Sequence, residues 1–485
     1  MITYPTNVEL KRRYIGTTPI GRVYIGNNLI WDTKDGYGVR WIHDGDGTME
    51  RIGNMRYHRT LPIQSKMRRC TIDTDGTIKY ISNTNYKKYT DNTDVPYSTL
   101  NTMVEVPEHY CDCGQVVENG VTYDYIMLYP NANVGKHIPI HYIGAFEAAL
   151  DRTNNKLYSI VKTNIEYVLD NGVETKEIYG QSLTFTDDAA DFRGGNNDTS
   201  YTGAKTLLGR PVTNINISNF CTYAKNTGSK YCLYNWEAHM SLYRLFIVEY
   251  ATFDSQATFN PILTAEGYHQ GGLGFGVCSN KNEWNNYNAH NPIHPCGVTL
   301  ILGNETGNVK YNLGTYTTPV SYSSETYFNV PSYRGVENPF GHIWKIINGI
   351  YTVVSSSVNY IFTSTNGWSI RDFNYGTSIS TPAANHELRT NLSTAKTQGW
   401  QKTILFDNHG DILPKELDNT DNTTSSKAIT RDYFWQSYAN GQYKAVVGGS
   451  LNNGVRTGLG SLDVQLAVAG TSEHGGSRLL YIPSL

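Results

Sequence analysis

Five stretches of this sequence carry residue types that could do chemistry. His109-Tyr110-Cys111-Asp112-Cys113 offers an imidazole and two thiols. A structural zinc site wants two cysteines two to four residues apart and a second matched pair. Here the spacer is one residue and no second pair follows. His290, His294 and Cys296 could also ligate a metal, but Pro292 and Pro295 break any helix that would align them. A solvent-facing loop over 279–295 is the expectation. Asp44-x-Asp46-Gly47 has the opening of a calcium loop without its further oxygen ligands or distal Glu, so it reads as a turn. The glycine-dense run His269 to Gly276 has no βαβ unit around it and is not a dinucleotide fingerprint. Glu249 lies in an apolar run and reads as a core carboxylate with partners rather than as a base. No stretch holds a recognisable catalytic set. The expectation is a protein with no metal, no cofactor and no enzymatic activity.

The element that must position everything else runs through residues 236–253. Met240, Tyr243, Phe246 and Ile247 recur at helical spacing from Trp236, and Leu242, Leu245 and Phe253 widen the stripe. Asn235 is placed to cap this helix, and Glu237 sits in the first turn, where the helix dipole favours a carboxylate. The remaining chain is turns and short strands, with apolar runs at Tyr37 to Ile42, Cys70 to Tyr80, Met103 to Val106, Val121 to Leu128, Val298 to Gly303, His342 to Tyr351, Val358 to Phe362 and Tyr443 to Gly448. Tyr142 to Leu150 reads as a strand entering a helical turn. Arg478 to Ile482 reads as a closing strand. Residues 381–430 are polar and Thr/Asn-rich, and an exposed excursion is expected there.

Composition agrees with a large β-rich body. Charged residues are 17% of the 485, against about 25% in an average soluble protein, while tyrosines number 37. Tyr combines strand propensity with contact area at low entropic cost. The net charge of −3, with no basic run longer than Lys11-Arg12-Arg13, argues against a nucleic-acid partner. No apolar stretch reaches about 18 residues, so membrane insertion is not expected. The N-terminus lacks the apolar core of a signal peptide, which implies assembly in a cytoplasm. Seven scattered cysteines read as buried thiols rather than a disulfide framework.

Three regions follow. Residues 1–33 repeat Tyr-Ile-Gly at Tyr14 and Tyr24 and are too small to fold alone. They read as an attachment module, the alternative being the first hairpin of the main body. Residues 34–204 form a β-rich domain packed on or continuous with the next. Residues 205–485 hold the central helix. The fold class expected is α+β, with large loop insertions.

Four motifs in order carry a resemblance. Arg210-Pro211-Val212-Thr213 with the Phe220-to-Ala224 turn, the helix ending Val248-Glu249-Tyr250-Ala251, Gly341-His342-Ile343-Trp344-Lys345, and Val447-Gly448-Gly449-Ser450 followed by Gly476-Ser477-Arg478 resemble the formylglycine-generating (sulfatase-modifying) type of C-type-lectin-like domain. The enzymes of that family carry working cysteines after the Gly-Gly-Ser element. This chain has none after Cys296, so the resemblance implies the fold without the oxidation. The same fold occurs in receptor-binding proteins of bacterial viruses. Trp41 to Gly47, Met103 to Pro107 and Tyr142 to Glu147 resemble tail and head-fibre proteins of gut-bacterial phages.

That resemblance implies a non-catalytic virion fibre or tail component. Residues 1–33 would dock onto other virion proteins, the chain would form a homotrimer, and loops would face a host-surface glycan or protein. The loop side implied is Trp435, Tyr438, Asn452, Asn453, Arg456 and His474, since aromatic rings and amides stack on and hydrogen-bond to such ligands. The alternatives are a purely structural head fibre or tail collar and, further off, a capsule-degrading hydrolase built on paired carboxylates.

Overall fold

The structure is a computed structural model. It describes residues 35–131, 133–162, 209–278, 293–312, 327–419, 429–472 and 474–485; elsewhere it gives only the backbone of short strands within 14–32 and 169–179. Two of those are small antiparallel hairpins, Tyr14–Ile15 with Thr18–Pro19 and Arg22–Ile25 with Asn28–Asp32. The attachment role expected of 1–33 otherwise lies outside the described residues.

The central helix spans Trp236–Tyr250, and all fifteen of its residues are buried. The Asn235 side chain accepts from the Ala238 amide at 2.9 Å, satisfying one of the orphan donors of the first turn. Ala251 ends the helix in the left-handed region, φ 53°, and its amide returns to the Ile247 carbonyl. A helix buried all round must satisfy its polar side chains internally. Glu249 does so by accepting from the Tyr333 hydroxyl at 3.0 Å and the Arg334 guanidinium at 2.5 and 3.2 Å. It is the satisfied core carboxylate expected.

Three sheets enclose the helix. A five-stranded antiparallel sheet runs in the order Lys136–Ile138, His109–Glu118, Val121–Tyr129, Tyr37–Ile42, Met49–Gly53. Its long hairpin turns at Asn119-Gly120, both at positive φ (49° and 80°), as a two-residue hairpin turn requires. Trp41 from this sheet meets Phe253 and Phe406 edge-on, with ring centroids 5.0 and 4.9 Å away. A six-stranded sheet runs Tyr231–Leu233, Leu479–Tyr481, His141–Gly144, Asn101–Val106, Arg68–Ile72, Ile78–Tyr80. The closing strand therefore lies inside a sheet, and that sheet draws strands from both sides of residue 205.

The nine-stranded sheet runs His386–Ser393, Val358–Ser364, Trp344–Ser355, Gly441–Val447, Leu462–Val464, Tyr433–Gln436, Gln398–Leu405, Leu413–Asp418, with Gly475–Gly476 pairing Trp344–Ser355. Its two end strands face each other across a groove of about 550 Å³ lined by Leu392 and Ser393 on one side and Leu417 and Asp418 on the other, so the sheet nearly closes on itself.

Several expectations are corrected. Residues 386–418 are strands of this sheet, not an exposed excursion. Two of the three are end strands, which pack on one side only and tolerate a polar sequence such as His-Glu-Leu-Arg-Thr-Asn-Leu-Ser. Residues 420–428 lie outside the described residues. Phe220 to Ala224 is the middle of an eleven-residue helix, Ile217–Thr227, capped by Asn216 and burying Ile217, Phe220, Cys221 and Ala224 on one face. Val298 to Gly303 is not a strand: Gly297 and Gly303 take positive φ (94° and 55°) around a 3-10 turn, Leu300–Leu302. After Gly144 the chain bends and re-enters a strand at Ala149–Asp151 rather than making a helical turn.

Candidate functional site

Three of the motifs that carry the resemblance, those of Glu147, His342 with Lys345, and Arg478, meet in a buried polar cluster. Glu147, His342, Lys345 and Arg478 are each at most 2% exposed. Glu147 accepts from His342 Nδ1 on one oxygen, while Lys345 Nζ lies 2.9 Å from the other. Arg478 donates to the carbonyls of Gly144, Glu337 and Asn338. Arg210 donates to the Ile293 carbonyl at 2.5 Å. His294 stacks on His342 with ring centroids 3.6 Å apart and takes a hydrogen bond from the Asn338 amide at 3.2 Å. The expected solvent-facing loop is thus corrected at its end: Ile293, His294 and Cys296 are each 1% exposed because the His342 ring and the Glu337 turn cover them. His290 lies outside the described residues.

Burial alone would raise the Glu147 carboxyl. The charges of His342 and Lys345 overcome it and hold the group well below the usual carboxylate range. Burial lowers Lys345 to about 8 against the pull of Glu147. Burial also depresses His342 and, with His342 beside it, His294. The cluster fastens four distant segments to one another and faces no solvent. Among the described residues no group of three or more His, Cys, Asp or Glu side chains is arranged to hold a metal ion.

The residues expected to face a receptor divide three ways. Asn452, Asn453 and Arg456 share the 3-10 turn Leu451–Arg456. Gly449 opens it at φ 77°, where a Cβ would lie 2.5 Å from Thr457 Cγ2. Asn453 accepts from the Ser450 amide and hydroxyl, both at 2.8 Å, and Asn452 accepts from the same hydroxyl at 2.7 Å. The Arg456 guanidinium lies 4.7 Å from the Tyr433 ring centre. From below, the Ser255 hydroxyl accepts from the Leu459 amide at 2.9 Å. His474 lies at this same end: its carbonyl accepts from the Trp344 amide at 2.7 Å, and Leu451 donates to the His342 carbonyl at 3.0 Å.

Trp435 is corrected to core. It is 7% exposed, edge-on to Trp344 at 5.3 Å and tilted on Tyr433 at 4.6 Å. Its strand is interior to the sheet, paired with Leu462–Val464 on one side and Gln398–Leu405 on the other, and both of its faces are covered. Tyr438 is 75% exposed but stands elsewhere. Strand Gly441–Val447 separates it from the Gly-Gly-Ser loop, seven residues of extended chain or about 20 Å end to end. Its loop is held by Tyr443, whose hydroxyl donates to the Ala439 carbonyl at 2.7 Å and accepts from the Ser437 hydroxyl at 2.9 Å. Beside that loop is a residue the sequence reading missed. Tyr375 is 42% exposed and stacks on Phe373 at 5.6 Å. Gln442 donates to the Thr377 carbonyl at 2.9 Å, which ties the Tyr375 loop to the strand leaving Tyr438. The signal was present as one aromatic within the turn-forming run Asn374-Tyr375-Gly376-Thr377-Ser378.

Asp432 supports the Gly-Gly-Ser loop from beneath. Its carboxylate accepts from the Gly460 amide at 2.8 Å, and burial raises its pKa well above the usual value. A carboxyl raised in the folded state binds its proton there first, so stability falls as pH rises from the unfolded value, about 3.9, through the folded one. Asp432→Asn removes that penalty. The variant should match the parent near about pH 4 and exceed it by about 1–3 kcal/mol at about pH 8, read by urea unfolding at both.

No protein-family model matches the chain, and no curated protein matches it. Among solved structures it is similar to variants of a major tropism determinant. The P3c variant is 10% identical, with 92% of this chain and 71% of that one covered and a TM-score of 0.24. The I1 variant is 11% identical, covering 86% and 72%, with a TM-score of 0.24.

Proposed function

We propose that this chain is a non-catalytic component of a bacterial-virus particle that holds surface loops still for host-surface recognition. The observation that carries the reading is a contrast in how side chains are used. Glu147 is buried against His342 and Lys345, and Arg478 is buried against backbone carbonyls, while Tyr438 and Tyr375 stand exposed on turns fixed by hydrogen bonds. Rigid exposed tyrosines offer stacking area and a hydroxyl without an ordering cost on binding. The ordered motifs resembling phage receptor-binding proteins support the same reading. In it, residues 1–33 dock to the particle and the chain is a homotrimer, which multiplies weak single-site contacts.

Labelled protein applied to host cells tests this. Tyr438→Ala combined with Tyr375→Ala is expected to reduce binding about tenfold or more, roughly 1.4 kcal/mol, with unchanged thermal unfolding. Absence of binding to cells or glycans by the parent chain would leave a purely structural fibre or collar. Release of oligosaccharide from host capsule would replace both readings with a hydrolase.

A further inference from the structure

The turns that present Tyr438 and Tyr375 carry no charge. Asn374 to Asn385, Gln436 to Gln442 and Gln465 to Ser472 contain no Asp, Glu, Lys or Arg, and neither does the hairpin turn Ser355 to Val358. Exposed loops are where charged side chains ordinarily collect. Here Tyr, Asn, Gln, Ser and Thr take their place.

Hydrogen bonds join these segments at the start of strand Gly441–Val447. Val354 pairs with Gly441 there, which sets the Ser356-Ser357 turn, at φ 53° and 63°, beside the Tyr438 loop. The Gln442 side chain donates to the Thr377 carbonyl at 2.9 Å, and the Gln465 side chain donates to the Gln436 carbonyl at 3.1 Å. Beneath the Tyr375 loop, Ile379 and Ala383 pack on Tyr351, Val353 and Phe362, and the Ala383 amide donates to the Tyr351 hydroxyl at 3.0 Å. Lys444 holds the third segment from below. It is fully buried, and its ammonium donates to the carbonyls of Ala467, Val468 and Gly470. Three donors meet three acceptors, so this charge faces inward. Charged residues that border the surface are engaged elsewhere. Lys396 lies in the turn that bonds Ser357, but its ammonium donates to the Leu417 carbonyl at 2.5 Å. Asp372 pairs with Lys225, and Asp463 accepts from the Gln465 amide at 2.7 Å.

We propose, resting on the recognition role above, that the ligand of this surface is a neutral glycan, one with no carboxylate, sulfate, phosphate or ammonium group along the bound stretch. A neutral sugar presents a C–H face that stacks on an aromatic ring, and hydroxyls that both donate and accept. Tyrosine rings, side-chain amides and Ser/Thr hydroxyls match both features. An acidic polymer or a charged peptide would bring ions to a surface without counter-ions, and desolvating an ion uncompensated is costly. A charge-free surface therefore discriminates against such ligands. The groove lined by Lys396, Lys402 and Lys415 does offer cations, but Lys402 already pairs with Glu416 at 3.1 Å and Lys415 with Asp44 at 2.9 Å.

The test measures binding of the labelled chain to host cells at about 0.05 M and about 0.5 M NaCl, after periodate oxidation of the cells, and after protease treatment of the cells. Surface polysaccharide from the same cells, divided on an anion exchanger, supplies a neutral unretained fraction and an acidic retained one as competitors. Affinity should change less than about twofold with salt, because screening has no ion pair to weaken. Binding should be lost after periodate, survive protease, and be competed by the neutral fraction. Direct binding of that fraction should fall about tenfold or more in Tyr438→Ala combined with Tyr375→Ala, and persist in Lys402→Glu. A tenfold loss at high salt, competition by the retained fraction alone, or loss after protease overturns the neutral ligand and leaves recognition standing. A parent chain that binds no host cells overturns both.

Discussion

Glu147→Gln is expected to destabilise the chain by about 3–5 kcal/mol, because it leaves a buried ammonium without its anion. Lys345 is 1% exposed, and its only carboxylate within ion-pair distance among the described residues is Glu147, at 2.9 Å. Arg478 adds positive charge nearby, and His342 loses the oxygen that accepts its Nδ1 proton. Shape is conserved in this substitution, so the loss is electrostatic. Lys345→Met in the same chain should recover a good part of it, since a buried pair exchanged for apolar groups is often close to neutral. The pH dependence has a definite sign. A lysine depressed to about 8 in the folded state holds fewer protons there than when unfolded, so its cost applies in full below that value and is relieved between it and the unfolded value of about 10.4. The deficit of Glu147→Gln against the parent should therefore be largest below about pH 8 and narrow above it. Denaturant unfolding of both single variants and the double variant, at about pH 7 and 9, measures the coupling; a coupling under about 0.5 kcal/mol contradicts it.

This cluster was not legible in the sequence, although its parts were. Glu147, His294, His342, Lys345 and Arg478 are spread over more than three hundred positions, and nothing local in any of them says that they meet. The central helix was legible because three independent signals coincided: helical spacing from Trp236, a capping Asn235 and an acidic first turn. Strand Tyr37–Ile42 was read at its observed limits because both ends carry turn chemistry, Asp35-Gly36 and Asp44-Gly45. Polar end strands such as His386–Ser393 escaped for the opposite reason. An end strand packs on one side only, so its composition matches that of a loop. Trp435 and Tyr438 show the same limit at single-residue scale. They lie three positions apart with similar chemistry, and only the strand's end places one inside the sheet and the other on an exposed loop.

Phe246→Ala is expected to cost a comparable amount, about 3–5 kcal/mol, by a different mechanism, the loss of packing around a cavity. The ring is fully buried, stacks on Tyr250 at 4.9 Å and meets Tyr333 edge-on at 5.9 Å. Tyr333 is also the hydroxyl that Glu249 accepts from, so the hole opens beside the buried Glu249–Arg334 pair. Phe275→Ala, at a ring 47% exposed, serves as the control and should change stability by less than about 0.5 kcal/mol. The helix is what the sheets lean on, while the Tyr438 and Tyr375 loops are fixed by their own turns and by hydrogen bonds from strands. If that division of labour is right, Phe246→Ala will lower the unfolding midpoint yet bind host cells like the parent at temperatures where it is still folded. Hydrogen exchange should then rise across Trp236–Tyr250 and leave the loop at Tyr438 as protected as before. Binding lost while the variant remains folded would mean that the loops take their shape from the core after all, and that rigidity of the frame is not what presents Tyr438 and Tyr375.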